Sequence, residues 1–502
     1  GVDLILSCLE GAGLATFEDD TTNRFITGPT NILIKAAAGS SVSNNIRLAM
    51  SLDGTNYFHE DFSVVEFDIP SYSYVLKGAV KEFPIVLTPF LPGETLTVDL
   101  ACYESGYAYF DDSVQQLMVT SNMTSHVYMV AADTYAQGMW LSATLDGQVI
   151  RSNLFTIVDV QVGPCDTVCM GTNRVVAMNV LPVLPMGDEP ELRSVSTAGG
   201  GIALFDNAAT NRLLYGQENV NLWGITNSAV ARDVRLDVRL GNDAYTLTNL
   251  TVMDVRFSTL RYAPVIEYYS YSPEIQPAIL HVTVNPWPVD VPVWAETYGY
   301  LMFRDANGYA GALTNLQAQE SELPLAGYWP SGIDANGVRV YGAPGPDGFL
   351  QSPGITAVQV DFDNAWYVMK GGARATGVSL APSPLNTNIV IGLESLTGSN
   401  VLAAFDDQGT IAHVNIQCAT NLAIHGIQKA GYFDLALVAR LNGGVYAYQR
   451  FCVMEATHWE AAPIFIPMGT TADVPATVTV DPEPWPALDI VWILSSADEG
   501  QC

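Results

Sequence analysis

The chain repeats itself, and the repeat limits the folds open to it. Gly13-Leu-Ala-Thr-Phe17, followed by Thr22-Asn-Arg24, returns as Gly201-Ile-Ala-Leu-Phe205, followed by Thr210-Asn-Arg212. Asn31 and Asn219 keep the same offset of 188 residues. A third copy, Val401-Leu-Ala-Ala-Phe405-Asp406, lies about 200 residues beyond the second. A period this long, carried by many residues, points to an array of similar units rather than one large core.

A shorter period runs inside the long one. Turn signals sit at Leu52-Asp53-Gly54, Leu145-Asp146-Gly147, Leu240-Gly241-Asn242, Pro346-Asp347-Gly348 and Leu441-Asn442-Gly443. Asp-Gly and Asn-Gly accept the positive φ angles of a two-residue hairpin turn. Their flanks alternate as strands do, as in Trp140-Leu-Ser-Ala-Thr-Leu145 and Leu435-Ala-Leu-Val-Ala-Arg-Leu441. The turns recur about every 95–105 residues. All-strand modules of that length, each closing on a hairpin, predict an all-β chain of tandem immunoglobulin-like β-sandwiches in a linear array.

A second feature opens alternate modules. Pro84-Ile-Val leads to Leu96-Thr-Val98, Pro264-Val-Ile to Val282-Thr-Val284, and Pro463-Ile-Phe to Val478-Thr-Val480. Two module types are therefore expected to alternate. With each hairpin ending a module, the modules are 67–162, 163–256, 257–362 and 363–456. Residues 1–66 and 457–502 are partial modules, the first lacking its N-terminal strands. Together these two pieces are about one module long. That fits a window of a longer array, or a start that completes the end of a neighbouring copy by strand addition.

Composition narrows the function. Hydrophobic residues are 49% and charged residues 15% of the chain, a mix suited to pleated, half-buried surfaces. Acidic residues outnumber basic ones 52 to 21, a formal net charge of -31. A field of that sign repels phosphate backbones, so nucleic acid is excluded as a partner. Only five of the cations are lysines: Lys35, Lys77, Lys81, Lys370 and Lys429. No run of apolar residues is long enough for a membrane helix.

The seven cysteines are Cys8, Cys102, Cys165, Cys169, Cys418, Cys452 and Cys502. Their spacing is not that of a zinc site. Cys165 with Cys169, and Cys418 with Cys452, are candidate disulfides, and an odd count leaves at least one thiol over. Catalytic motifs are missing too. The six histidines show no HExxH spacing, and neither GxSxG nor a phosphate loop is present, so an enzyme is not expected.

Carboxylates recur at matching repeat positions. Asp19 and Asp20 follow Phe17, Asp206 follows Phe205, and Asp406 and Asp407 follow Phe405, while Asp361 and Asp363 form a DxD sequence. Oxygen ligands clustered in loops suit Ca²⁺, which makes these seven the candidate metal ligands. Asn122-Met-Thr and Asn249-Leu-Thr are candidate glycosylation sites. Trp287, Trp294, Trp485 and Trp492, with Tyr268, Tyr269 and Tyr271, suit either packing or glycan stacking. The chain resembles, as a class, cell-surface and filament proteins built of tandem immunoglobulin-like repeats. That resemblance implies a structural subunit of an extracellular filament, flagellar hair or surface layer, polymerising head to tail with copies of itself. The alternatives are an adhesin or glycan-binding surface protein, and a virion protein such as a capsid decoration or tail fibre.

Overall fold

Alternation of apolar and polar side chains makes strands of most segments. In the stretch Asn173–Leu181, Arg174, Val176, Met178 and Val180 are buried while Val175 and Ala177 face outward, the two-residue period of a pleated strand. The structure, a computed structural model, describes residues 1–8, 15–36, 43–88, 96–101, 108–129, 136–145, 147–196, 203–206, 208–226, 231–266, 273–304, 310–331, 336–343, 345, 347–363, 366–398, 400–461, 471 and 476–482. Among these residues there are strands and one short 3₁₀ turn, Asp111–Ser113, and no α-helix.

Residues 1–66 form β1 (Val2–Cys8), β2 (Ala15–Phe17), β3 (Asn23–Ile26), β4 (Ile34–Ala36), β5 (Ser43–Leu52) and β6 (Thr55–Val64), which continues as β7 (Glu66–Asp68). One sheet has the order β3-β1-β5-β6 and the other is the pair β2-β4. The next module contains β8 (Tyr74–Leu76), β9 (Val80–Thr88), β10 (Leu96–Ala101), β11 (Ala108–Phe110), β12 (Gln116–Val119), β13 (Met123–Met129), β14 (Ala136–Leu145) and β15 (Gln148–Val162). Sheet β12-β10-β14-β15 faces sheet β11-β13-β9-β7 across a core that includes Phe83, Leu96, Phe110, Val127, Leu141 and Phe155.

Residues 163–256 repeat the plan with β16 (Thr167–Cys169), β17 (Asn173–Leu181), β18 (Glu191–Ser196), β19 (Ala203–Phe205), β20 (Asn211–Leu213), β21 (Gln217–Gly224), β22 (Ala231–Leu240) and β23 (Asp243–Phe257). Their sheets run β20-β18-β22-β23 and β17-β21-β19. The chain then forms β24 (Tyr262–Pro264), β25 (Ala278–Asn285), β26 (Val293–Tyr298), β27 (Leu301–Arg304), β28 (Ala310–Gly311), β29 (Leu313–Asn315), β30 (Glu320–Gly327), β31 (Gly337–Gly342), β32 (Leu350–Gln351) and β33 (Thr356–Phe362). Last come β34 (Tyr367–Met369), β35 (Ala373–Ala381), β36 (Ile389–Ser395), β37 (Ala403–Ala404), β38 (His413–Ile416), β39 (Thr420–Gly426), β40 (Ala430–Leu441), β41 (Gly444–Ala461) and β42 (Ala476–Asp481). The 257–362 core gathers around Leu280, Val282, Leu325 and Val340, and the 363–456 core around Ile389, Ile391, Leu437 and Phe451. The chain is thus all-β, a series of immunoglobulin-like β-sandwiches.

Three modules open on a short strand laid parallel to their own last strand: β8 on β15, β24 on β33, β34 on β41. Four of the expected turns are hairpins. Asp53 and Gly54, and Asn442 and Gly443, take positive φ together, whereas at 241–242 only Gly241 does, the pattern of a type II′ turn. The exception is Pro346-Asp347-Gly348, which is not a two-residue turn. The connection runs from Gly342 to Leu350, and Pro353, which lacks an N–H, separates β32 from β33.

Among the described residues the second sheet of 1–66 holds two strands and that of 163–256 three. Ile32, Ile34, Leu48 and Met50 are only partly buried there. Their counterparts Val220, Leu222, Leu236 and Val238 are no more than 1% exposed. Contacts divide the chain into two compact units, Gly1–Asp166 with Asn173–Thr251, and Thr167–Thr172 with Val252–Cys502.

Candidate functional site

Successive modules within a unit join without a linker. In the first unit β15 serves two modules: Met139–Leu145 of β14 pair with its first part, and its last residues, Asp159–Val162, pair with Leu181–Met178 of β17. In the second unit β33 passes in the same way to β35, and β41 to β42. A strand shared by two sheets cannot bend freely, because every ladder hydrogen bond on either side resists it.

The junction of 67–162 with 163–256 is filled by charge. Lys77 Nζ lies 3.3 Å from Asp159 Oδ2, and Lys81 pairs with Asp243, next to the 241–242 turn. These side chains are largely buried, with Asp159 and Asp243 at 7% and 10% exposure. Asp243 Oδ2 has no hydrogen-bond partner. The Tyr245 hydroxyl donates to the Val160 carbonyl at 3.4 Å, and Lys81 Nζ stands 5.9 Å from the Tyr72 ring centre. Burial, helped by the Asp243 carboxylate, pushes the Tyr72 phenol up to about 12. Burial and Asp159 do the same to Tyr245, also to about 12.

The junction of 257–362 with 363–456 is open. The turn after β40 puts Gly444 where Asp243 stands in the first junction, and Tyr446 where Tyr245 stands. A cavity of about 460 Å³ lies beside it, lined by Tyr262, Glu274, Gln276, Ile279, Arg440 and Tyr446 among others. Arg440 grips Glu394 with two hydrogen bonds, of 2.7 and 3.0 Å, and holds that carboxyl below its usual range. Glu274 lies 3.6 Å from the Arg450 guanidinium. Burial raises the Tyr446 phenol.

The seven candidate calcium ligands are not brought together. Asp19 accepts from the Thr21 amide and hydroxyl, Asp20 pairs with Lys35, and Asp206 pairs with Arg212. Asp406 accepts from the Thr410 and Ile411 amides, while Asp407 lies exposed in the same turn. Asp361 accepts from Gln359, and the Asp363 amide donates to the Gly377 carbonyl. Among the described residues no three His, Cys, Asp or Glu side chains converge as a metal site would require.

Neither expected disulfide is present; Cys165, Cys169, Cys418 and Cys452 are free thiols. Cys169 donates to the Val340 carbonyl, and burial pushes the Cys165 thiol up to about 11. Cys418 follows β38, and Cys452 lies in β41, three strands away in the same sheet. At ~4.8 Å per strand that is on the order of 14 Å, twice what a disulfide can span. Cys102 and Cys502 lie outside the described residues. Asn122 is exposed, with its side-chain oxygen accepting from the Leu87 amide at 2.7 Å. Asn249 is exposed within β23. Trp287 packs against the core of its own module, and Trp294 is half-buried in β26. Tyr268, Tyr269, Tyr271, Trp485 and Trp492 lie outside the described residues.

Sequence reasoning passed over the lysines that reach across a module boundary, Lys81 to Asp243 and Lys429 to Asp481 at 2.5 Å. The signal was the scarcity of lysine: each of the five is ion-paired, Lys35, Lys77 and Lys370 within their own modules.

No family model matches the chain, and no curated protein matches it. Among solved structures, a marsupial T cell receptor is similar at 7% identity and a TM-score of 0.13, over 77% of this chain and 98% of that one. A score that low carries no argument, so the immunoglobulin-like assignment rests on the paired sheets described above. No helix among the described residues is long and apolar enough to cross a membrane.

Proposed function

We propose that the chain is a structural subunit of an extracellular filament, flagellar hair or surface layer, which assembles head to tail with copies of itself. The observation that carries this reading is the shared strand at each junction within a unit. β15 ends one sandwich and edges the next, so bending at that junction would have to break a ladder. Stiffness of that kind serves a spacer, whose length comes from repetition. The largely buried Lys81–Asp243 pair supports it, since it joins two modules rather than presenting charge to a ligand. The acidic surface adds solubility to a protein that would meet copies of itself at high local concentration.

Electron microscopy of the native material, with intact-mass analysis of the same sample, tests the reading. Filaments or a lattice with an axial repeat set by whole modules are expected. A protein that stays monomeric at every concentration examined overturns it.

A further inference from the structure

We propose that the cavity at the junction of 257–362 with 363–456 is a binding site for a neutral saccharide. The starting point is a difference between two like junctions. Both turns, Leu240-Gly241-Asn242-Asp243 and Leu441-Asn442-Gly443-Gly444, close with two residues between strands. In the first, the Asp243 side chain and Lys81 occupy the space beneath the turn. In the second, Gly444 has no side chain to put there, and about 460 Å³ stays open. That volume lies within the ~300–1,000 Å³ of small-molecule sites, which favour boundaries between domains.

The lining selects the ligand class. Glu274 is balanced by Arg450, and Arg440 by Glu394, so each wall charge is already compensated. An anion would face Glu274 and a cation would face Arg440, and neither would find an unpaired partner. Hydrogen-bonding capacity remains nonetheless. A carboxylate has about four lone-pair sites, a guanidinium five N–H donors, and Gln276 both kinds of group. Leu260 and Ile279 supply apolar wall, together with the buried Tyr446. A ligand with hydroxyls around its rim and C–H faces above and below satisfies both kinds of surface, and that is a pyranose. The site is independent of polymerisation, since its lining belongs to a single unit of one chain.

The full chain would be titrated with methyl glucoside, methyl mannoside, methyl galactoside, maltose, cellobiose and lactose, read by saturation-transfer NMR and calorimetry. At least one is expected to bind with a Kd of millimolar or tighter. Gly444→Asp should weaken that binding tenfold or more. A Cβ at Gly444 would meet only the Leu441 carbonyl oxygen and the Tyr446 ring, both at 3.5 Å, so the backbone accepts the change. Gln276→Ala, which leaves the cavity wall in place, should weaken it about tenfold. Trp140→Ala, in another module, should leave it unchanged. Binding unaffected by both cavity substitutions places the sugar elsewhere and overturns the proposal. So does a panel in which no sugar binds, whether or not methyl phosphate or citrate does.

Discussion

The two junctions share a plan and differ in what fills them. Where 67–162 meets 163–256, Lys81 and Asp243 are packed beside a turn and Lys77 pairs with Asp159 nearby, with Tyr72 and Tyr245 in the same junction. Where 257–362 meets 363–456, the turn carries glycine and a cavity remains. In both, a continuous strand sets the alignment of the modules: β15 in the first, β33 in the second. The ladder therefore does the joining, and the side chains beneath the turn are free to differ. One junction uses that freedom to bury charge, the other to keep a space.

The sharpest way to break the comparison is to unbalance the filled junction. Lys81→Met would leave the Asp243 carboxylate, at 10% exposure, without its cation. Removing one partner of a buried pair costs about 3 kcal/mol, because the charge left behind is desolvated and unpaired. Denaturant unfolding followed at Trp140 and Trp223 should show the loss. Lys81→Met with Asp243→Gly, which copies the open junction, should recover most of it. If the double variant is as unstable as the single one, the buried charge is not what sets the cost.

The fold class and its repeat were legible because strands announce themselves twice, by alternation and by turn chemistry. Asp53-Gly54 and Asn442-Gly443 have the positive φ angles that their residue types allow. Pro346-Asp347-Gly348 misled for a local reason: the residues matched a turn signal, but register is set by pairing, and Val340 pairs with Leu350 across a longer loop. The carboxylates recur for reasons of local turn structure. Asp19 accepts from the amide two residues on, an Asx-type turn, while Asp406 accepts from the amides four and five residues on. Cys418 and Cys452 are held apart by strand order, of which spacing along the chain says nothing. The junction residues were hidden for a deeper reason. Lys81 and Asp243 are 162 residues apart, and no local pattern links them.

Titration sharpens the contrast with a smaller effect. Glu394 is held below its usual pKa of 4.5, first by its hydrogen bonds from Arg440. Its folded pKa is depressed, so its contribution is present above pH 4.5 and is lost as pH falls through the lower folded value. The pair is partly solvent-exposed, which limits the loss to about 1 kcal/mol. Alkali acts on the other junction. Tyr72 and Tyr245 have folded values near 12 against 10.0 for a free phenol. Raised acids of this kind contribute fully below pH 10 and lose that contribution as pH rises from 10 to 12. Hydrogen exchange in β15 and β17 should therefore quicken above pH 10 by more than base catalysis accounts for. Tyr72→Phe with Tyr245→Phe should remove the excess.

The smallest expected effect separates burial from mere pairing. Lys77 and Lys370 stand at equivalent places, each one residue beyond the short parallel strand of its module, with its amide bonded to the last strand: Lys77 to Val158, Lys370 to Met454. Both reach a carboxylate, Asp159 at 3.3 Å and Glu455 at 2.7 Å. Distance alone ranks the Lys370 pair the stronger. Exposure reverses the order, since Lys370 and Glu455 are 42% and 37% exposed, against 18% and 7% for Lys77 and Asp159. Water screens the first pair and would rehydrate either partner left alone, so Lys370→Met should cost about 0.5 kcal/mol or less. Lys77→Met strands a carboxylate that water reaches poorly and should cost several times more. Thermal unfolding in low and high salt reads the difference, with the Lys370 effect vanishing in salt. Equal costs for the two substitutions would mean that these lysines act by packing their alkyl stems, and that burial of their charge contributes nothing.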